Sequence, residues 1–215
     1  MSNQLILWDF DGTLANTLGH ALEAYSQLAT EYGFRQVDDP EMVRTQEMRQ
    51  FLKSHEIPAW RVPSLFARFL KSMKSAIGTA QLFPGITDAV QDLKQAGFRQ
   101  GIVSSNSTFN ILQCLQYNDA DALFDDVCGT SRLFGKDRRI RIALKQFGVT
   151  PKQCLYIGDE VRDIEAAQAG GVAVGCVSWG LNSPEVLDGH SPVFVAAEAG
   201  DLPQLINQHF LAHAD

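Results

Sequence analysis

The chain has 215 residues, 45% of them hydrophobic and 20% charged, which supplies a buried core and excludes a disordered polymer. That length suits one large domain, or one domain with a sizeable insertion. With 18 Lys and Arg against 25 Asp and Glu, the formal charge of -7 disfavours recognition through phosphate neutralisation, so no nucleic-acid partner is expected.

The first apolar run, residues 5–8, reads as a buried strand and is far too short to span a bilayer. No basic flank of a secretory signal precedes it, so the expectation is a cytoplasmic protein with no membrane partner. About seventy residues then pass with helical periodicity and no strand. Leu18, Leu22, Tyr25, Ala29 and Tyr32 form one stripe that ends at Gly33, and Asp39-Pro40 supplies an N-cap and first-turn proline for the next helix. A further helix starts near Pro63 and carries Leu65, Phe66, Phe69, Leu70, Met73 and Ile77. Leu82-Phe83-Pro84-Gly85 is a turn signal, followed by a helix through Ile86, Ala89, Val90 and Leu93.

From there apolar runs alternate with helices, the pattern of an α/β fold with a parallel sheet. Residues 100–103, 155–157 and 172–177 are the strands, and 108–116 and 137–147 are helices. Asp201 is expected to cap a last helix through Leu205, Ile206 and Phe210. Cys114, Cys128, Cys154 and Cys176 make no C-x-x-C pair and are expected as small buried hydrophobes in a reducing compartment. Histidines at 20, 55, 190, 209 and 213 share no spacing and read as surface or packing residues. His20 lies close enough to the first strand's loop to face a crevice. Arg44, Arg49 and Arg61 read as solvated.

In an open parallel sheet the loops after the strands converge on one crevice. Asp9-Phe10-Asp11-Gly12-Thr13 follows the first strand, Ser104-Ser105-Asn106 the second, and Gly158-Asp159-Glu160-Val161-Arg162-Asp163 the third; Gly135-Lys136 opens a helix between them. Two carboxylates about 4 Å apart repel by about 4 kcal/mol at an effective dielectric near 20, so gathering Asp9, Asp11, Asp159 and Asp163 calls for a cation. Oxygen ligands with positions open to water and phosphate suit Mg2+. Lys136 adds positive charge, and the Ser104 hydroxyl adds a donor for an anionic phosphoryl group.

These four segments resemble, in order, the four signatures of the haloacid dehalogenase-like hydrolase superfamily. The helical insertion and the stretch Val177-Ser178-Trp179-Gly180 resemble its phosphoglycolate-phosphatase-like subgroup. The resemblance implies a Rossmann-like parallel sheet in a three-layer αβα core, formed by residues 1–15 and 83–215, with an all-helical cap at 16–82. It implies a Mg2+-dependent phosphatase of a small phosphorylated metabolite, working through an aspartyl-phosphate. Asp9 would be the nucleophile and Asp11 the acid and base. Ser104 would hold the phosphoryl group, with Ser105 the competing residue. Lys136 would neutralise charge, and Asp9, Asp159 and the Asp11 backbone carbonyl would ligate Mg2+. Asp163 would support this set from behind, Glu160 being the alternative metal ligand, and Thr13 would fix the Asp11 loop. Asp11 argues against carbon–halogen cleavage, because dehalogenases of this superfamily keep no Asp there. The rivals are a phosphomutase and a catalytically silent binding protein on the same fold. Oligomeric state is left open.

Overall fold

A computed structural model describes residues 3–130 and 135–213. The first apolar run forms β1 (Leu5–Trp8), with every residue buried. Its alternation divides the core: Ile6 and Trp8 pack into one hydrophobic cluster, Leu5 and Leu7 into the other. Four helices follow without a strand: α1 (Leu18–Tyr32), α2 (Pro40–Arg44), α3 (Met48–Ser54) and α4 (Val62–Ile77). α1 stops at Gly33 in the left-handed conformation, as its C-terminal glycine implies, and the Asp39 side chain caps α2 by accepting the Glu41 N–H at 3.0 Å.

The chain returns through α5 (Ile86–Gln95), β2 (Arg99–Ser104), α6 (Thr108–Tyr117) and β3 (Asp126–Gly129). It continues with α7 (Lys136–Phe147), β4 (Cys154–Gly158), α8 (Val161–Ala169), β5 (Ala173–Val177), α9 (Pro184–Asp188), β6 (Val195–Ala196) and α10 (Leu202–Ala212). The six strands lie in the order β3-β2-β1-β4-β5-β6 and pair in parallel throughout. α5, α6 and α10 cover one face and α7, α8 and α9 the other. The expected α/β, Rossmann-like layering is therefore present. β1 is flanked by β2 and β4, so the strand order reverses direction at its carboxyl end, where a crevice opens.

β3 and β6 were not expected. β3 carries only Val127 and Cys128 as apolar residues and begins with an aspartate, while β6 has two residues; both lie at the sheet's edges. Two other expectations need correction. Asp201 makes no side-chain cap on α10; its carboxylate accepts the Glu198 N–H at 3.1 Å and closes the turn before the helix. Cys128 is only half-buried, because an edge strand leaves one side open; the other three cysteines are buried.

The two ends of the helical segment are tied together where the chain leaves and re-enters the α/β part. Ala15 pairs with Leu82 in an antiparallel bridge, the Asn16 N–H donating to Gln81 and the Phe83 N–H to Leu14, both at 2.9 Å. No helix among the described residues is long and apolar enough to cross a membrane.

Candidate active site

Asp9 continues β1 by one residue, its N–H donating to Ile157 of β4 at 2.8 Å, so the sheet itself fixes this carboxylate. The residue is 3% exposed. Its Oδ2 accepts from Lys136 Nζ at 2.8 Å; its Oδ1 is buried with no hydrogen-bond partner. The chain then turns at Gly12, with φ +78°, where a Cβ would lie 2.2 Å from Asp159 Oδ2. Only glycine fits, by both conformation and space.

Lys136 begins α7 and donates to Asp163 as well as to Asp9. Asp163 is wholly buried at the third position of α8; its other oxygen accepts the N–H groups of Asp159 (3.1 Å) and Glu160 (3.3 Å). One carboxylate thus caps the helix and orients the lysine. Asp159, just beyond β4, accepts from Thr13 Oγ1 and from the Leu181 N–H, each at 2.7 Å. Thr13 therefore holds Asp159 directly, beyond its expected service to the Asp11 loop.

The Val177–Gly180 stretch, noted in the sequence only as a subgroup mark, backs this aspartate. A Cβ on Gly180 would lie 2.2 Å from Asp159 Cβ, and Trp179 Nε1 donates to the Thr13 carbonyl at 3.1 Å.

Asp11 points elsewhere, its Oδ2 accepting from Asn106 Nδ2 at 3.0 Å. Asn106 is fully buried and is itself oriented by Asn110 Nδ2, 3.0 Å from its Oδ1. Asn106 stands two residues past the end of β2, the one sign in the sequence of its part in the site. Ser104 is buried and its Oγ accepts the Asn106 N–H at 3.1 Å, whereas Ser105 lines the cavity above the site. Glu160 is paired with Arg162, whose Nε donates at 3.0 Å, and stands outside the acidic cluster.

Among the described residues, Asp9, Asp159 and Asp163 each offer a carboxylate oxygen, all within 4.8 Å of one another. The Asp11 carboxylate is not one of them. Burial and then the Asp163 charge push Asp9 up to about 7, with Lys136 pulling it back. Burial, then Asp163, Asp9 and Glu160, drives Asp159 well above the usual carboxylate range, against the Leu181 N–H. Burial also raises Asp11, opposed by Asn106 and Thr17. For Lys136, burial acts downward, but Asp163, Asp9 and Glu160 prevail and push it up. The site thus carries more negative charge than its one lysine balances. With an oxygen-only donor set and the unpartnered Asp9 Oδ1, it fits a hard divalent cation.

A cavity of about 250 Å³ lies between this cluster and the helical segment, bordered by Asp9, Asp11, Ser105 and Asn106 below and by α1, α3 and α4 above. Arg44, expected as solvated, instead links the helical segment to the loop after β5: its side chain is 22% exposed and donates to the Ser178 carbonyl at 2.6 Å. Asn182 ties the same region, donating to Gln46 at 2.9 Å. His55 packs between Phe51 and Tyr25, as a packing histidine should; His20 does not border the cavity.

The parallel α/β sheet thus gathers clustered carboxylates and a lysine at its switch point, where open α/β folds hold their ligands. The family model described as haloacid dehalogenase-like hydrolase matches residues 6–177, and the chain belongs to that family. It is an enzyme of the phosphatase class. The chain is 30% identical over 207 residues to a phosphoglycolate phosphatase from Synechococcus elongatus, covering 95% of this chain and 98% of that one. It is 22% identical over 213 residues to the pyrophosphatase PpaX of Bacillus cereus, covering 96% and 98%. Its fold superposes with a TM-score of 0.82 on the crystal structure of a predicted phosphatase from Clostridium acetobutylicum, at 19% identity, covering 95% and 98% of the two chains.

Proposed function

We propose that the chain hydrolyses a small phosphorylated metabolite with Mg2+, through a phosphoryl group carried transiently on Asp9. The observation that carries this reading is the placement of Asp9: sheet-fixed, clamped through Oδ2 by Lys136, and with Oδ1 unpartnered at the floor of a cavity that Asp11 also borders. Asp9 attacks phosphorus, the bond from phosphorus to the organic oxygen breaks, and Asp11 gives its proton to that oxygen. Asp11, raised by burial, is suited to hold that proton. Asp11 then takes a proton from water as the water attacks phosphorus, releasing phosphate and restoring Asp9. Asn106 aims Asp11 throughout.

Lys136 balances charge on the nucleophile and the phosphoryl oxygens, held in place by Asp163. Ser105 borders the cavity, while Ser104, whose oxygen already accepts from Asn106, keeps its own hydroxyl proton to donate; both are assigned to phosphate binding. The carboxylates of Asp9 and Asp159 with the Asp11 backbone carbonyl would hold Mg2+, which when bound supplies neutralisation of the phosphoryl oxygens. Residues 1–15 and 83–215 form the core in this reading, and 16–82 form a cap that closes over the cavity and excludes bulk water. Four free thiols suit a cytoplasmic setting.

The test is phosphate release from a panel of phosphomonoesters, with phosphoglycolate and inorganic pyrophosphate included because relatives are named for them. Activity is expected with Mg2+, none with chelator, and none in Asp9→Asn. Full activity in that variant overturns the mechanism. A bisphosphorylated product with little free phosphate decides for a phosphomutase, and no turnover across the panel decides for a silent binding protein.

A further inference from the structure

The cap's contribution to the cavity has an unusual composition. α1, α3 and α4 turn Leu18, Leu22, Leu52, Leu65 and Phe69 toward it, and each of these side chains stays half-buried where a closed helical core would bury it. No Lys, Arg or His from the cap borders this cavity among the described residues. The cap's polar groups there are uncharged: the Tyr25 hydroxyl is committed to the Arg35 carbonyl at 2.6 Å, Gln46 Oε1 accepts from Ser54 Oγ at 3.2 Å, and Thr17 lies beside Asp11. The core supplies one cation, Arg162, and it is paired with Glu160.

A second cavity opens on the other side of Glu160 and Arg162, where Lys136 and Arg49 border it; Asp11 does not. The distinction matters because the organic oxygen must receive its proton from Asp11, so the organic part of the substrate extends into the apolar cavity. A carboxylate or second phosphate placed there would lose its hydration without gaining a cationic partner. An apolar group would instead bury the open faces of the cap leucines and Phe69.

Resting on the phosphomonoester reading above, we propose that the substrate's organic part is apolar, which makes the substrate a phosphate ester of an apolar alcohol and disfavours a short anionic acid. The test uses n-alkyl phosphates from methyl to octyl, with Mg2+, beside phosphoglycolate. kcat/KM is expected to rise by about fourfold per methylene over the first several carbons, the equivalent of burying each one, and to exceed the value for phosphoglycolate by butyl phosphate.

Binding of n-octylphosphonate and methylphosphonate, measured by calorimetry, needs no turnover. The octyl compound should bind at least about 100-fold more tightly, with a negative heat-capacity change. Length-independent kcat/KM with phosphoglycolate as the best substrate overturns the apolar assignment and leaves the phosphatase reading standing. No turnover of any ester, with octylphosphonate still the tighter ligand, overturns the phosphatase reading and supports the pocket. Equal affinities overturn the pocket whatever the turnover. Leu22→Asn and Leu52→Asn should each flatten the chain-length dependence; a wild-type slope in both also overturns the assignment.

Discussion

Around Asp9 almost every polar atom is already committed, Asp163 to a lysine and two backbone N–H groups, Asp159 to Thr13 and Leu181, Asp11 to Asn106. Across the same cavity, Leu22, Leu52, Leu65 and Phe69 have no polar partner to find and remain half-open. The floor is held by directional bonds at fixed distances, so small displacements disable it. The roof acts through the hydrophobic effect, which is non-directional and roughly proportional to area, so it tolerates exchange of side chains of similar volume. On the proposed function, phosphoryl chemistry and substrate selection would fall to surfaces with different tolerance for change.

Substitutions on the floor should have the largest effects. Asp9→Asn should lower kcat/KM by at least about 10⁴-fold, and Asp11→Asn by about 10²- to 10⁴-fold, in steady-state phosphate release. Lys136→Met removes the one cation between two buried carboxylates. It should cost about 3–5 kcal/mol in urea unfolding at neutral pH without metal, in addition to activity; an unchanged midpoint would show that the floor is not held as described. Thr13→Val removes the donor to Asp159 and should weaken Mg2+ dependence or activity by about 10- to 100-fold, read as a shift in the Mg2+ concentration for half-maximal rate.

A matched pair measures the contrast between regions directly. Ile157→Ala, in the fully buried β4, should cost about 2–5 kcal/mol. Leu52→Ala, on the half-open α3, should cost below about 1.5 kcal/mol. Equal costs would mean that the roof is a closed core. The smallest effect concerns the thiols. Burial and the Asp11 charge push Cys114 up to about 11, leaving on the order of one part in a thousand as thiolate at pH 8. Burial likewise raises Cys154 and Cys176. Mass spectrometry of the folded protein after brief alkylation should therefore find Cys128 modified first.

Legibility in the sequence followed the same division. The central strands declared themselves because burial on both faces demands continuous apolar runs, as in Leu5–Trp8 and Cys154–Gly158. β3 and β6 were hidden because edge strands are short and need less apolar residue content. Asp9, Asp11 and Asp159 stood out as acids just past apolar runs, whereas Lys136 and Asp163, in the first turns of α7 and α8, were found only through the order of the motifs. The connections among them were not readable: that Thr13 reaches Asp159 and Asn106 reaches Asp11 depends on contacts between residues far apart in the chain. Arg44 was misjudged for the same reason, its partner Ser178 lying beyond four strands of intervening sequence.

The bridge between Ala15 and Leu82 has a consequence for how such a molecule can diversify. The chain leaves the sheet and re-enters it side by side, so to β1 and β2 the whole helical segment is a loop whose ends are already tied. Changes in the parts of it that do not pack on the α/β core need not alter the register that sets Asp9 against Ile157. Other side chains that face the cavity can then vary while Ala24, Met73 and Ile77, which pack into the cluster under the sheet, stay as they are.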